Sequence, residues 1–438
     1  MNHKNFVGRT SIIGIAIPIM LSNLSTPLVG LVDTAVLGQS VNPSLIGGVA
    51  VGATMFSLIF WAFGFLRMAN TGLAAQAVGA GNSNEVKTIF LRGIFLSIFL
   101  GGVLIILKKP ILSFIFLLID TSDEIKHLAR QYYEIRIWAA PVTFINYVVL
   151  GWLIGIGKSK VALGIQIFLN TLNVAFDWYL VILLDEGIEG VAIGTLLAEF
   201  SAAGLGLFII LKGWFQEYRW SHVGDMWNLN KLWLLLNVSK DICIRSFALL
   251  LVFVWFTSQS AKAGELILAA NAILMHFITC SAFLLDGFAM AAESLAGRAK
   301  GAKNKALFLR VCADTLLWGI LVAIVISLFF LYSGGRIITL MTVNVMVRET
   351  AEKYLIWASL APVVATVGYQ LDGIFLGATW TKQMVYSMAL STILFFLTWW
   401  LFKSIGNHGL WLAIYSHFIA RAVTLTILFP RLLLRDFS

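Results

Sequence analysis

Charged residues are scarce in this chain. Asp, Glu, Lys and Arg make up 12% of its 438 residues, against about 25% in ordinary soluble domains. Hydrophobic residues make up 59%, and the mean hydropathy is +0.89. This composition excludes a soluble globular protein and predicts an all-α polytopic membrane protein. The net charge of +9 is typical of membrane proteins with basic cytoplasmic loops, so no nucleic-acid partner is expected.

Cysteine and catalytic motifs are also rare. The three cysteines form no CxxC pair and lie in or beside apolar segments, so we expect packing residues: Cys243, Cys280 and Cys312. No HExxH, GxSxG or Cys/His cluster occurs, which argues against an intramembrane enzyme. The sequence therefore predicts neither a metal cofactor nor a catalytic residue.

One stretch resembles a phosphate-binding loop but fails its spacing. GWLIGIGKS (151–159) has five residues between Gly151 and Gly-Lys-Ser, where the P-loop requires four. We interpret it as close helix packing through Gly151 and Gly155, followed by a basic loop. Without a nucleotide-binding domain, the chain by itself is no ATP-driven pump and needs no nucleotide partner.

Apolar runs of about 20 residues mark membrane spans. Twelve are predicted, at 11–37, 44–77, 88–108, 131–157, 161–184, 190–211, 241–261, 266–297, 306–332, 351–378, 383–403 and 408–430. They divide the chain into a first lobe at 1–212, a cytoplasmic connection at 213–240 and a second lobe at 241–438.

The loops also predict an orientation. An even number of spans places both termini on one side. If that side is cytoplasmic, its loops and tails hold eighteen Lys and Arg and the outer loops hold nine, as the positive-inside rule requires. Four of those nine occur at 108–130 and oppose the trend. We expect a bacterial inner-membrane protein with both termini in the cytoplasm.

The two halves resemble each other. MANTGLAAQAVGAGN (68–82) matches MAAESLAGRAKGAKN (290–304) at an offset of 222, and Gly151 and Gly155 match Gly373 and Gly377 at the same offset. Six spans per half predict two pseudo-symmetric six-helix lobes, repeated in parallel about an axis normal to the membrane. The cleft between such lobes is the expected substrate path.

The first half has two isolated carboxylates within its spans. Asp33 is the only charged residue between Arg9 and Arg67, and its span contains two helix-bending prolines, Pro18 and Pro27. The predicted fifth span places four polar side chains on one helical face, namely Gln166, Asn170, Asn173 and Asp177. Buried carboxylates with amide and hydroxyl neighbours can hold a proton or ligate Na⁺, and the residues themselves do not choose between the two.

The second half has further charges within its spans. Asp286 and Glu293, seven residues apart, share a face of the eighth span, and the tenth contains Asp372. Arg245, in the seventh, could neutralise one of these acids or contact substrate. Both interpretations stay open.

Three runs of the sequence are characteristic, namely PIMLSNLSTPLVGLVDTAVLG (18–38), GFLRMANTGLAAQAVGAGN (64–82) and DGFAMAAESLAGRAKGA (286–302). They resemble the multidrug and toxic compound extrusion (MATE) family, in its DinF-like bacterial branch, and the resemblance extends over essentially the whole chain. It implies a V-shaped, two-lobed antiporter that exports amphipathic, often cationic compounds in exchange for H⁺ or Na⁺. No cofactor beyond that coupling ion is expected, and the chain is expected to be monomeric in the bilayer.

The resemblance also implies roles for single residues. Asp33, Asn173 and Asp177 resemble the family's cation site, with Thr195 as its hydroxyl partner and Tyr132 or Tyr133 as a further hydrogen-bonding group. Pro18 resembles the proline at which the first helix bends, and Asp372 resembles the tenth-helix acid of other branches. The expected mechanism is alternating access, in which a proton neutralises Asp33 and Asp177, the first helix bends, and substrate leaves. H⁺ is favoured as the coupling ion, with Na⁺ as the alternative.

Three other functions stay open. A flippase for lipids or lipid-linked oligosaccharides has a similar architecture, but its cleft is expected to be more basic than this acidic first lobe. An intramembrane enzyme would need a nucleophile with its base, or a metal. A channel or scaffold would have no use for isolated carboxylates on proline-bent helices.

Overall fold

A computed structural model describes residues 12–25, 43–118, 122–213 and 227–437. In these ranges the chain is almost entirely helical and has no β-strand. The first half contains α1 Ile12–Ser25, α2 Pro43–Ala62, α3 Phe65–Gly79, α4 Ser83–Ile106, α5 Lys108–Leu118, α6 Asp123–Arg136, α7 Ala140–Gly155, α8 Ser159–Asp177 and α9 Gly187–Gly213. The second half contains α10 Leu229–Lys262, α11 Glu265–Gly301, α12 Lys305–Met341, α13 Val345–Gly377, α14 Thr381–Phe402 and α15 Asn407–Phe437.

The predicted spans agree with these helices. Within the described ranges, eleven helical stretches are long and apolar enough to cross a membrane, and each corresponds to one predicted span. The shorter α1 covers the start of the first predicted span, whose remainder lies outside the described residues. The prediction of an all-α polytopic membrane protein is confirmed.

Two helical segments occupy stretches that are predicted to be connections. Helix α5 lies within the predicted outer connection at 108–130. Its Pro110 is compatible with this helix, because in the first turn of a helix the missing proline N–H costs nothing. Helix α10 begins at Leu229, ahead of the span predicted from 241, because the Asn228 side chain accepts the backbone N–H groups of Asn230 and Lys231 at its start.

The chain separates into two compact units. The first unit consists of Leu21–Val78 and Asn82–Leu235, and the second consists of Met1–Met20, Gly79–Gly81 and Leu236–Ser438. The division passes through α1 and α10.

The start of a helix recurs in the two halves. Asn82 precedes α4 with φ −92° and ψ 84°, and its Oδ1 accepts the N–H of Glu85 at 3.0 Å. Asn304 precedes α12 with φ −100° and ψ 94°, and its Oδ1 accepts the N–H of Leu307 at 2.9 Å. Asn82 and Asn304 are 222 positions apart, and so are their partners Glu85 and Leu307. The sequence repeat therefore extends to the side chains that cap the helices.

A glycine contact between helices recurs as well. In the first unit, a Cβ at Gly151 of α7 would lie 3.0 Å from Cα of Arg67, and one at Gly155 would lie 2.6 Å from the carbonyl oxygen of Thr71 in α3. These separations are too short for any side chain, so only glycine lets α7 approach α3 this closely. The GxxxG interpretation of 151–155 is confirmed.

The second unit contains the equivalent contact. A Cβ at Gly373 of α13 would lie 3.0 Å from Cα of Ala289, and one at Gly377 would lie 3.0 Å from Cα of Glu293 in α11. Every partner is again displaced by 222 positions from its counterpart. Each half of the sequence therefore folds around the same helix–helix contact.

Candidate functional site

Three polar side chains of the first unit form one hydrogen-bonded group. The amide Nδ2 of Asn173 donates to Oδ2 of Asp177 at 3.0 Å and to Oγ1 of Thr195 at 3.1 Å. Asp177 is fully buried and Asn173 is 1% exposed. The structure thus brings together the three described members of the predicted cation site, two from α8 and one from α9.

Glycine makes room for the carboxylate. A Cβ at Gly194 of α9 would overlap Oδ1 of Asp177 and would lie 3.2 Å from its backbone nitrogen and 3.3 Å from its Cγ. Helix α9 can pass directly over the carboxylate because position 194 has no side chain.

The backbone changes form immediately after Asp177. Helix α8 ends there, and Trp178–Leu183 is a π-helical stretch in which the N–H of Leu184 bonds to the carbonyl of Tyr179 at 3.2 Å. Single π-helical turns are rare and occur often at functional sites, because they rotate the side chains before and after them out of the regular helical register.

The amide oxygen of Asn173 is available to a ligand. It is buried and accepts no hydrogen bond from the part of the chain that the structure describes, although buried polar atoms are nearly always paired. An ionised carboxylate only accepts hydrogen bonds, so Nδ2 of Asn173 must face Asp177, and this orientation fixes the position of Oδ1. The site therefore offers carboxylate, amide and hydroxyl oxygens together. The carboxylate can take up a proton, and all three kinds of oxygen are ligands that a hard cation prefers.

The polar face of α8 continues away from this group. Nε2 of Gln166 donates to Oδ1 of Asn170 at 3.1 Å, and Nδ2 of Asn170 donates to Oγ of Ser25 in α1 at 2.7 Å. Ser25 in turn donates to the backbone carbonyl of Ser22 at 2.7 Å. The predicted stripe therefore divides into an ion-site half and a half that holds the end of α1.

The predicted hinge helix is only partly described. Pro18 is buried in α1 and deprives the carbonyl of Gly14 of its helical donor. Around it, α1 packs on α11 of the same unit, where a Cβ at Gly287 would lie 2.8 Å from the carbonyl oxygen of Ala16. Asp33 and Pro27 lie outside the described residues, so their assignments stay predictions.

The two candidate tyrosines have other contacts. The hydroxyl of Tyr133 donates to the carbonyl of Lys108 at 3.1 Å, and the side chain of Tyr132 hydrogen-bonds to Arg136.

In the second unit, Asp372 lies between two arginines. Its carboxylate forms ion pairs with Arg245 of α10 and Arg421 of α15, and Nε of Arg421 donates to Oδ1 at 3.2 Å. Of the two interpretations of Arg245, the ion pair is the one observed. Asp286 and Glu293 of α11 lie close enough to Arg245 to interact electrostatically. The second-half polar group is thus assembled, and it includes Arg421, which the sequence alone left ambiguous.

A further charged centre in the first unit was not predicted as a site. Nη2 of Arg136 donates to Oε1 of Glu199 at 2.5 Å, Thr143 donates to the other carboxylate oxygen, and the amide of Asn146 donates to the backbone carbonyl of Glu199 at 3.1 Å. The only sequence signal was the presence of a charged residue within each of two spans, and nothing local pairs residues 63 positions apart.

Comparisons with known proteins agree with this architecture. A family model described as MatE matches residues 18–179 and 242–401. The chain is 36% identical to DNA damage-inducible protein F of Escherichia coli over 422 residues, covering 95% of this chain and 91% of that protein. It is 26% identical to the probable multidrug resistance protein NorM of Thermotoga maritima over 329 residues, covering 73% and 70%. A crystal structure of a MATE protein in the bent conformation superimposes with a TM-score of 0.89 at 18% identity, covering 97% and 95% of the two chains.

Proposed function

Because this chain belongs to the MATE family of multi-pass membrane transporters, we propose that it is a cation-coupled multidrug antiporter that exports amphipathic, often cationic compounds. Named relatives include probable multidrug resistance proteins, which supports the substrate class. Export from the cell places the protein in the bacterial inner membrane. The distribution of basic residues in the loops favours both termini in the cytoplasm. In this proposal the chain acts as a monomer.

The observation that carries the proposal is the buried group of Asp177, Asn173 and Thr195. An ionised carboxylate that is fully buried in a membrane-spanning helix is costly. A proton on Asp177 removes that cost and converts an acceptor into a donor, which changes the hydrogen bond with Asn173. Occupation of the site therefore switches the contact between α8 and α9.

A proton is the favoured coupling ion because a single carboxylate, that of Asp177, can hold a proton with only its hydrogen-bonded neighbour Asn173 beside it. Na⁺ needs more oxygen ligands, and the group offers Asp177, Oδ1 of Asn173 and Oγ1 of Thr195 as three of them, with Asp33 as the fourth. Each ion that moves inward supplies roughly 2.3 kcal/mol per 100 mV of membrane potential. One or two ions per cycle are enough for useful accumulation of substrate outside.

The ion site acts on α1 in this mechanism. Ser25 of α1 is bound by Asn170, one turn from Asn173 on the polar face of α8. When Asp33 and Asp177 are neutralised, the first predicted span bends at its hinge prolines, Pro18 and Pro27, the drug site closes, and substrate leaves toward the outside. The two lobes then rock inward by alternating access and release the proton.

The deciding experiment measures efflux of a fluorescent cationic dye from proteoliposomes, with H⁺ and Na⁺ gradients imposed separately. We expect efflux with ΔpH alone in the wild type and loss of it in Asp177→Asn. Asp314→Asn is the matched control, because Asp314 pairs on its own helix with Arg310 at 3.7 Å, and it is expected to transport normally.

Other outcomes would contradict the proposal at defined points. Efflux that requires Na⁺ would replace the proton as coupling ion but keep the antiporter. Undiminished transport by Asp177→Asn would remove the ion site. No dye movement under either gradient, with translocation of a lipid-linked oligosaccharide, would replace the antiporter by a flippase.

A further inference from the structure

The basic residues at 108–130 oppose the positive-inside trend, and the proposed transport mechanism gives them no role. The structure places a helix there, α5, with the sequence KKPILSFIFLL. Its eleven residues extend about 16 Å at 1.5 Å per residue, so it is too short to cross a bilayer.

One face of α5 is mostly apolar and is not covered by any part of the chain that the structure describes. Pro110, Ser113, Phe114 and Leu117 recur at helical spacing and are all exposed; Phe114 is 62% exposed and Leu117 is 83% exposed. The opposite face packs inward through Leu112, which is 8% exposed. An exposed apolar stripe on a short helix, with charge at its start, is typical of a helix lying in the membrane interface.

Cations and aromatic rings surround the same helix. Nζ of Lys108 lies 5.3 Å from the ring centre of Trp138, and the guanidinium of Arg130 lies 5.8 Å from that of Phe116. Lys109 is exposed, and Trp138 is 52% exposed. Tryptophan with neighbouring lysines marks the level of the lipid headgroups. Three acids follow α5 in the sequence. Asp120 lies outside the described residues, and Asp123 and Glu124 occupy the first turn of α6, where they favour its positive end.

From this arrangement we propose that α5 lies in the plane of the membrane and binds anionic phospholipid headgroups through Lys108 and Lys109, with its Phe114–Leu117 face in the acyl region. A second copy of the chain fits this surface poorly, since a symmetric contact through it would bring the lysines of both copies together. Anionic phosphate is complementary to those lysines, and acyl chains are complementary to the apolar stripe.

Lipid binding tests the headgroup contact. Purified full-length protein is titrated with phosphatidylglycerol and with phosphatidylcholine, and bound lipid is counted by native mass spectrometry. A surface lysine contributes roughly 1 kcal/mol toward an anionic lipid, or about fivefold in affinity. Lys109→Gln should therefore lose about fivefold for phosphatidylglycerol only, and the double variant with Lys108→Gln about 25-fold. Lys262→Gln is the matched control, an exposed lysine at the end of another helix, and it should bind as the wild type does.

A nitroxide label tests the depth of the helix independently of those lysines. The label is placed at Leu117→Cys in a variant whose three native cysteines are replaced by alanine, and the same label at Val343→Cys, a connection residue 90% exposed, serves as the aqueous reference. We expect position 117 to collide with oxygen far more than with a water-soluble nickel complex, and position 343 to show the reverse.

Three results would overturn the proposal. They are equal accessibility of both labels to the nickel complex, no preference for phosphatidylglycerol in the wild type, and spin–spin broadening at position 117 that reveals a second copy on this face.

Discussion

Substitution of Gly194 by alanine should disable the ion site while leaving the fold intact. An added Cβ would overlap Oδ1 of Asp177 and would lie 3.2 Å from its backbone nitrogen. If the carboxylate turns away, the 3.0 Å hydrogen bond from Asn173 to Asp177 is broken. If α9 moves outward instead, the 3.1 Å hydrogen bond from Asn173 to Thr195 is broken.

The magnitude follows from two opposing terms. Overpacking of this kind costs about 1–3 kcal/mol, whereas replacing glycine by alanine inside a helix gains about 0.5–1 kcal/mol. Global stability therefore falls by about 0–2.5 kcal/mol, which is a few degrees in melting temperature for a chain of this size. The collision, however, acts directly on the ionised and protonated states of Asp177, and a bias of about 1–3 kcal/mol between two states changes an equilibrium 5- to 150-fold.

Dye efflux under a fixed ΔpH measures this effect, with thermal unfolding of the same preparation as the measure of folding. We expect Gly194→Ala to lose at least fivefold in efflux with a melting temperature close to that of the wild type. Gly204→Ala is the matched control, because it lies in the same helix and an added Cβ there has no described neighbour within 4 Å. If Gly194→Ala transports as fast as Gly204→Ala at every pH, the placement of the ion site at Asp177 is wrong.

Three further expectations concern stability. Glu199→Gln leaves the buried guanidinium of Arg136 without its counter-ion and should destabilise the protein by about 3–5 kcal/mol. This is measured as a lowered denaturation midpoint, and an unchanged midpoint would show that the ion pair is not formed. Gly151→Ala should lower the melting temperature by forcing α7 away from α3. Gly164→Ala should not lower it, because an added Cβ there meets no described atom within 4 Å. An equal change in melting temperature for the two variants would contradict the close contact. The carboxylate of Asp436 accepts from Nζ of Lys300 at 2.6 Å and from the indole of Trp380 at 2.7 Å. Asp436→Asn weakens both contacts, so the end of α15 should become more sensitive to protease. Digestion identical to that of the wild type would refute a role for these contacts in holding α15.

Much of the fold could be predicted because membrane spans impose a simple rule. Every backbone polar group must be paired within the hydrocarbon, so a run of about 20 apolar residues has to be a helix. Helix α5 was not predicted because its eleven residues fall below that length, and the basic stretch at 108–130 was assigned to an outer connection.

Part of the candidate site could be predicted for a related reason. The spacing of Asn173 and Asp177 within one helix places them on one face by geometry alone, and the structure confirms their contact. The partner Thr195 came from the family resemblance. No periodicity pairs Arg136 with Glu199, because that contact depends on how three helices pack against each other.

The duplicated glycine contact supplies the molecule with its own internal reference. Gly155 and Gly377 meet the backbones of Thr71 and Glu293 in the same way, but one belongs to the unit with Asp177 and the other to the unit with Asp372. An identical lesion can thus be introduced twice into one polypeptide, with the same chemistry and the same geometry. Any difference between the two phenotypes then reports which half performs the ion-dependent step, independently of the general cost of loosening a helix pair.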